Sequence, residues 1–202
     1  MLKTGRASPG AARQGGAEIV EVRLIGAIAK GDMPSFETLY RGYFPRLTRF
    51  LDRMTRNAHL IEEIVNDTMM VVWQKAGTFD GTSKVSTWIF AIAYRRGLKA
   101  ISAFDDPVES DSDDYVSAAE NEPEQEFSQQ QLQKLLGKTL DALPAEQRHV
   151  VNLAYYHGMD YGEIAEIMEC PVNTVKTRMF HARRRMKTML TGLHSAGFGE
   201  AS

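Results

Sequence analysis

A chain of 202 residues, 43% hydrophobic and 25% charged, has the composition of a soluble protein with room for one domain or two small ones. No run of about 18 apolar residues occurs, so no membrane insertion is expected, and the single cysteine, Cys170, excludes an intrachain disulfide and a thiolate zinc cluster. The formal net charge of -2 hides a division: residues 105–126 hold ten acids and no Lys or Arg, and without them 24 basic residues face 16 acidic ones, a balance of +8.

Residues 1–17 begin basic but lead into no apolar run, and they read as a flexible tail, not a signal peptide. A first helical module is expected over residues 18–103. Residues 35–40 and 44–54 carry Phe36, Leu39, Tyr40, Leu47, Phe50 and Leu51 at helical spacing, and Asn57 ends or caps a helix. Residues 60–73 are the clearest helix. Ile61, Ile64, Val65, Thr68, Met69 and Val72 fall on one side, with Glu63, Asp67 and Gln74 near the other. Residues 77–83, with two glycines among small polar side chains, form a loop. Ser83, Ser86 and Thr87 all qualify as caps for a helix over residues 85–103. In it Trp88, Ile89, Ile92 and Ala93 supply the packing side, and Arg95, Arg96 and Lys99 a basic second half.

Residues 104–126 hold two prolines and many Ser, Asp and Glu, too little apolar surface to offset the entropy of ordering, and are expected to be a linker. A second module follows over residues 127–193. Leu132, Leu135, Leu136, Leu140 and Leu143 make one stripe that stops at Pro144, and a helix over residues 148–156 ends at His157 and Gly158. Asp160 with Glu163 three residues on is a capping-box arrangement. It opens a short helix over residues 161–169 that stops before Pro171. Asn173 is placed to cap the last helix, with Val175, Met179, Ala182, Met186 and Leu190 inward and Lys176, Arg178, His181, Arg184 and Arg185 largely outward. Residues 194–202 are expected to be a second tail. Two helices across a short turn, the second with six Lys or Arg and no acid over residues 173–187, form a helix-turn-helix. Such a helix fits the DNA major groove, its first turns near base edges and its later arginines near phosphates. The expected fold class is all-α: two small helical domains joined by an acidic linker.

Residues 160–185, DYGEIAEIMECPVNTVKTRMFHARRR, resemble the promoter-reading segment of bacterial sigma factors of the extracytoplasmic-function (ECF) type, in the sigma-70 family. That segment usually reads Tyr-x-Glu-Ile-Ala, a proline-containing turn, then Gly-Thr-Val-Lys-Ser-Arg and an arginine-rich tail. Independently, residues 66–73 and FDGTSKVSTWI at residues 79–89 resemble the other domain of that family. The resemblance covers residues 33–190 apart from the linker. Asn173 stands where glycine is usual, Thr177 where serine is usual, and residues 92–96 depart from the common Ile-Ala-Arg-Asn.

The resemblance implies a cytoplasmic protein that is not an enzyme and needs no cofactor or metal. It would bind core RNA polymerase, direct it to promoter DNA, and be held inactive by an anti-sigma factor. Polymerase contact falls to Glu63, Asn66, Asp67 and Gln74. The -10 element falls to Phe79, Asp80, Gly81, Ser83, Lys84, Ser86, Arg95, Arg96 and Lys99, since a glycine loop can approach an unpaired base and cations hold its phosphates. The -35 element falls to Asn173, Thr174, Lys176, Thr177, Arg178, His181, Arg184 and Arg185. The acidic linker is either a tether or a charge that keeps the basic modules off DNA until polymerase is present. The rival reading is a stand-alone helix-turn-helix regulator, which should lack the loop-and-Trp pattern at residues 78–89. Five scattered histidines and no nucleotide-binding motif leave little for catalysis.

Overall fold

The computed structural model describes residues 9–104 and 135–197, and all regular structure among them is helical. Helix α1, Pro9–Ile28, begins within the segment expected as a tail. Helix α2, Met33–Asp52, opens on Asp32, whose carboxylate accepts the Ser35 N–H at 3.0 Å. Pro34 sits in its first turn, where a missing N–H costs nothing. The two apolar segments expected around Gly42 and Pro45 are one continuous helix. Leu39, Tyr43, Leu47, Phe50 and Leu51 stay on one buried side across the proline, and their burial outweighs the lost backbone bond.

Helix α3, Ala58–Lys75, is capped by Asn57, whose side chain accepts the Leu60 N–H at 3.0 Å. It buries every residue of the expected stripe, and a 3₁₀ turn, Ala76–Thr78, extends it. Helix α4, Val85–Phe104, starts differently from expectation. None of Ser83, Ser86 or Thr87 is bonded to its first N–H; the Val85 N–H donates to Glu18 Oε1 of α1 at 2.9 Å. A distant carboxylate has displaced the local hydroxyls. Gly97 lets α4 lie close on α2, since a Cβ there would stand 3.1 Å from Met54 Cε and 3.2 Å from Leu51 Cδ2.

Beyond residues 105–134, which lie outside the described residues together with most of the expected linker and Leu132, helix α5 is seen over residues 135–141. Helix α6, Ala145–Tyr156, starts directly after Pro144, whose carbonyl accepts from the Gln147 and Arg148 N–H groups. Helix α7, Tyr161–Ile167, has the expected capping box: Asp160 Oδ1 accepts the Gly162 and Glu163 N–H groups, and Glu163 Oε2 accepts the Asp160 N–H at 2.8 Å. It ends two residues early, and Glu169 turns into the left-handed region at φ 50°. Helix α8, Val172–Gly197, begins one residue before Asn173. The Pro171 carbonyl accepts from Thr174 and Val175, so Asn173 is inside the helix and not its cap. The helix also takes in residues 194–197, expected as tail.

The helices fall into two groups, α1–α4 around Phe50, Leu47, Val65 and Phe90, and α5–α8 around Leu153, Ile164, Ile167 and Met179. The groups are packed together, with α7 lying on α4. The half-buried His157 ring sits 4.9 Å from the Phe90 ring and 5.8 Å from that of Phe50, and His149 meets Tyr94 edge-on at 5.5 Å. Between them the buried Asn152 donates its Nδ2 to the Phe50 carbonyl at 3.2 Å. One apolar core runs through both groups. Among the described residues, no helix is long and apolar enough to cross a membrane.

Candidate nucleic-acid interface

The inward face of α8 fixes what faces outward. Val175, Met179 and Ala182 are at most 1% exposed, which leaves Asn173, Lys176, Thr177, Phe180, His181, Arg184 and Arg185 in solvent, with Thr174 half-buried. The Thr177 hydroxyl donates to the Asn173 carbonyl at 2.9 Å and is held against the helix. Arg178 departs from the expected outward position. Its side chain is only 19% exposed, with Nη2 2.6 Å from Glu146 Oε1 in the first turn of α6 and Nη1 donating to Cys170 Sγ at 3.5 Å. Arg178 therefore ties the first turns of α8 to α6 and to the turn before it. Phe180, absent from the expected set, is 63% exposed and stacks edge-on with His181 at 5.4 Å. Its position was readable, three residues after Thr177 and four before Arg184, but an apolar residue suggests core.

The loop before α4 is a preformed turn. Asp80 Oδ1 accepts the Thr82 N–H at 3.0 Å and the Thr82 hydroxyl at 2.8 Å, and these bonds hold the Asp80 carboxyl below its usual range. Gly81 at the tip has φ 74°, a conformation glycine adopts without strain. Phe79 and Trp88 are half-buried against each other, ring centroids 5.3 Å apart, so Trp88 takes the packing position expected of it. Ser83 and Ser86 are half-buried.

Three of the four cations expected to face the -10 element are engaged. Lys84 Nζ lies 2.9 Å from Glu163 Oε1, a bond that raises the ammonium pKa despite some desolvation. Arg95 pairs with Glu169 at 2.7 Å and Arg96 with Asp67 at 3.0 Å, while Lys99 is exposed with no ion pair among the described residues. Glu163 and Glu169 belong to the other helical group.

On α3, Glu63, Asn66, Asp67 and Gln74 are all exposed, opposite the buried stripe. Asn66 Oδ1 accepts the Tyr40 hydroxyl at 2.8 Å. Glu63, Asp67, Arg96 and Lys99 line one shallow hollow, so the residues expected to meet polymerase adjoin those expected to meet the -10 element.

Comparison with known proteins adds to this geometry. The family model described as Sigma-70 region 2 matches residues 39–104, and that described as Sigma-70, region 4 matches residues 133–186, together more than half of the chain. The ECF RNA polymerase sigma-E factor of Haemophilus influenzae is 26% identical over 187 residues, covering 87% of this chain and 98% of that one. Among solved structures, the sigma factor RpoE of Bartonella quintana, in complex with the anti-sigma factor NepR, is 25% identical with a TM-score of 0.60, over 77% of this chain and 96% of that one. CnrH, solved with the cytosolic domain of CnrY, shares the fold at 18% identity and a TM-score of 0.64, over 86% of this chain and 98% of that one.

Proposed function

The chain belongs to the sigma-70 family, in its ECF branch, and from that premise we propose that it binds core RNA polymerase and places it on promoters through α8 and the α4 region. Nucleotidyl transfer belongs to the polymerase, and this chain supplies positioning. The observation that carries the reading is the outward face of α8, largely polar and cationic, on a helix whose other face is buried at Val175, Met179 and Ala182 and half-buried at Met186 and Leu190, within the region 4 match.

Lys176, Thr177, Phe180 and His181 stand in the first turns, the part of a recognition helix that meets base edges, and Phe180 offers apolar contact to a thymine methyl. Arg184 and Arg185, farther along, suit phosphates. Arg178 acts through Glu146 and Cys170 to set the angle of α8. In the other group, the Asp80–Gly81–Thr82 turn presents a tip without a side chain to an unpaired base, with Ser83 and Ser86 behind it. Lys84, Arg95, Arg96 and Lys99 hold phosphates. Glu63, Asn66, Asp67 and Gln74 on α3 form a polar patch for a basic surface of the polymerase. An anti-sigma protein, as in the Bartonella quintana complex, is the expected inhibitory partner.

The test is transcription from candidate promoters by purified core polymerase, with and without this protein. Start-site-specific transcripts that depend on the protein are the expected result. Tight sequence-specific duplex binding by the protein alone, with no effect on polymerase, would replace this reading with that of a stand-alone regulator.

A further inference from the structure

We propose that Tyr40 of α2 and Arg96 of α4 are positioning residues for the polymerase-binding patch on α3, each fixing one of its side chains in the orientation that polymerase meets. The inference rests on the reading of Glu63, Asn66, Asp67 and Gln74 as that patch. The four side chains are not alike. Glu63 and Gln74 have no side-chain hydrogen bond or ion pair among the described residues. Asn66 and Asp67 are each held. The Tyr40 hydroxyl donates to Asn66 Oδ1 at 2.8 Å, and Arg96 Nη1 donates to Asp67 Oδ2 at 3.0 Å.

The two holders are themselves fixed. Phe36, Tyr40 and Phe44 stand four residues apart on one side of α2, with the Tyr40 ring 6.2 Å from Phe36 and 5.7 Å from Phe44. Phe36 in turn meets Trp73 of α3 edge-on at 5.2 Å, so the Tyr40 hydroxyl reaches α3 from a ring locked in a packed row. Arg96 is half-buried on α4, which packs along α3, and it shares one hollow with Glu63 and Asp67.

A polar side chain free on a helix surface samples several rotamers, and a partner must freeze one of them at a cost in entropy. For Asn66 and Asp67 that ordering is complete before polymerase arrives. The holding bonds leave the contacts open. Asp67 keeps Oδ1, Asn66 keeps its amide hydrogens, and Arg96 uses only Nη1 and retains donors for a phosphate. Arg96 therefore serves both faces of the first helical group. The Arg96–Asp67 pair is half-exposed and adds little to folding, so its loss should be read in binding and not in stability.

The experiment titrates the full chain, labelled with fluorescein at its amino terminus, with purified core polymerase and no DNA, and reads anisotropy. Without DNA, a role confined to phosphate contact is silent. Tyr40→Phe and Arg96→Ala should each weaken binding about threefold, and together about tenfold, with the far-ultraviolet circular dichroism and urea midpoint of the wild type. Asn66→Ala and Asp67→Ala should each weaken it at least as much. In the Asp67→Ala background Arg96→Ala should have no further effect, and in the Asn66→Ala background neither should Tyr40→Phe. A merely structural loss, or a direct contact of Tyr40 or Arg96 with polymerase, would persist in those backgrounds and overturn the proposal. Unchanged affinity in Tyr40→Phe and Arg96→Ala, or in Asn66→Ala and Asp67→Ala, overturns it as well. A wild type that binds core while these variants match it defeats this proposal alone; a wild type that does not bind core defeats the family-level function and the proposal with it.

Discussion

Lowering the pH from 7 to 5 should cost the folded chain about 2 kcal/mol at His149 alone. This imidazole is 4% exposed, lies edge-on against Tyr94, and has a buried Nδ1 with no hydrogen-bond partner among the described residues. Burial first, then the nearby Arg148 and Arg178, push its pKa down to about 4. A depressed histidine pKa means that the unfolded chain takes up the proton first. Stability is then full above pH 6.5, falls as pH drops through that value, and levels off near pH 4. At about 1.36 kcal/mol per pH unit, the interval from 6.5 to 5 gives the magnitude stated. His157, between Phe50 and Phe90, is also pushed down to about 4, by burial and then by Arg46 and Arg49, and acts in the same direction. Glu21 opposes both, since burial raises its pKa and its folded form accepts a proton more readily. The assay is urea unfolding followed by far-ultraviolet circular dichroism at both pH values and constant ionic strength, for wild type and His149→Phe. The variant should lose about 2 kcal/mol of the pH dependence. An equal pH dependence in the two proteins would refute the assignment of the acid sensitivity to this ring.

Arg178→Ala should lower stability by about 1.5 kcal/mol, by urea unfolding, because it frees Glu146 and Cys170, and should weaken polymerase-dependent binding to all upstream-element variants alike. Phe180→Ala should leave stability within about 0.5 kcal/mol, since the ring is 63% exposed. It should remove about 1 kcal/mol of preference at one thymine of the upstream element, seen on a panel of single-base changes. Asp67→Lys should reduce affinity for core polymerase in a pull-down titration, with the circular dichroism of the free protein unchanged. Gly81→Ala places a side chain at φ 74°, should cost about 1 kcal/mol locally, and should slow promoter opening as read by permanganate reactivity of unpaired thymines.

Features set by neighbours along the chain were legible in the sequence. The buried stripe of α3, the Asp160–Glu163 capping box and the inward side of α8 depend on residues three or four apart, which periodicity reports directly. Features set by tertiary contact were not. The continuity of α2 through Pro45 depends on the burial of Tyr43 and Phe50 by other helices, and the start of α4 on a carboxylate from α1. The candidate site divides the same way. Its charges could be counted and assigned to helix faces, but the partners of Lys84, Arg95 and Arg178 lie far off in sequence, and no local pattern announces an ion pair between distant helices.

The bond from the Val85 N–H to Glu18 bears on how a fragment of this protein should be cut. A fragment drawn to the region 2 match would begin at residue 39 and leave α1 behind. The first turn of α4 would then have a bare N–H, and Ile25 and Ile28, each 2% exposed, would no longer cover the bundle. The Asp80–Thr82 turn leads straight into that first turn, so fraying there would loosen the loop whose shape matters most. Such a fragment would understate the activity of the intact region for a reason unrelated to DNA chemistry. The stable unit of the first helical group starts in α1, well upstream of the matched segment.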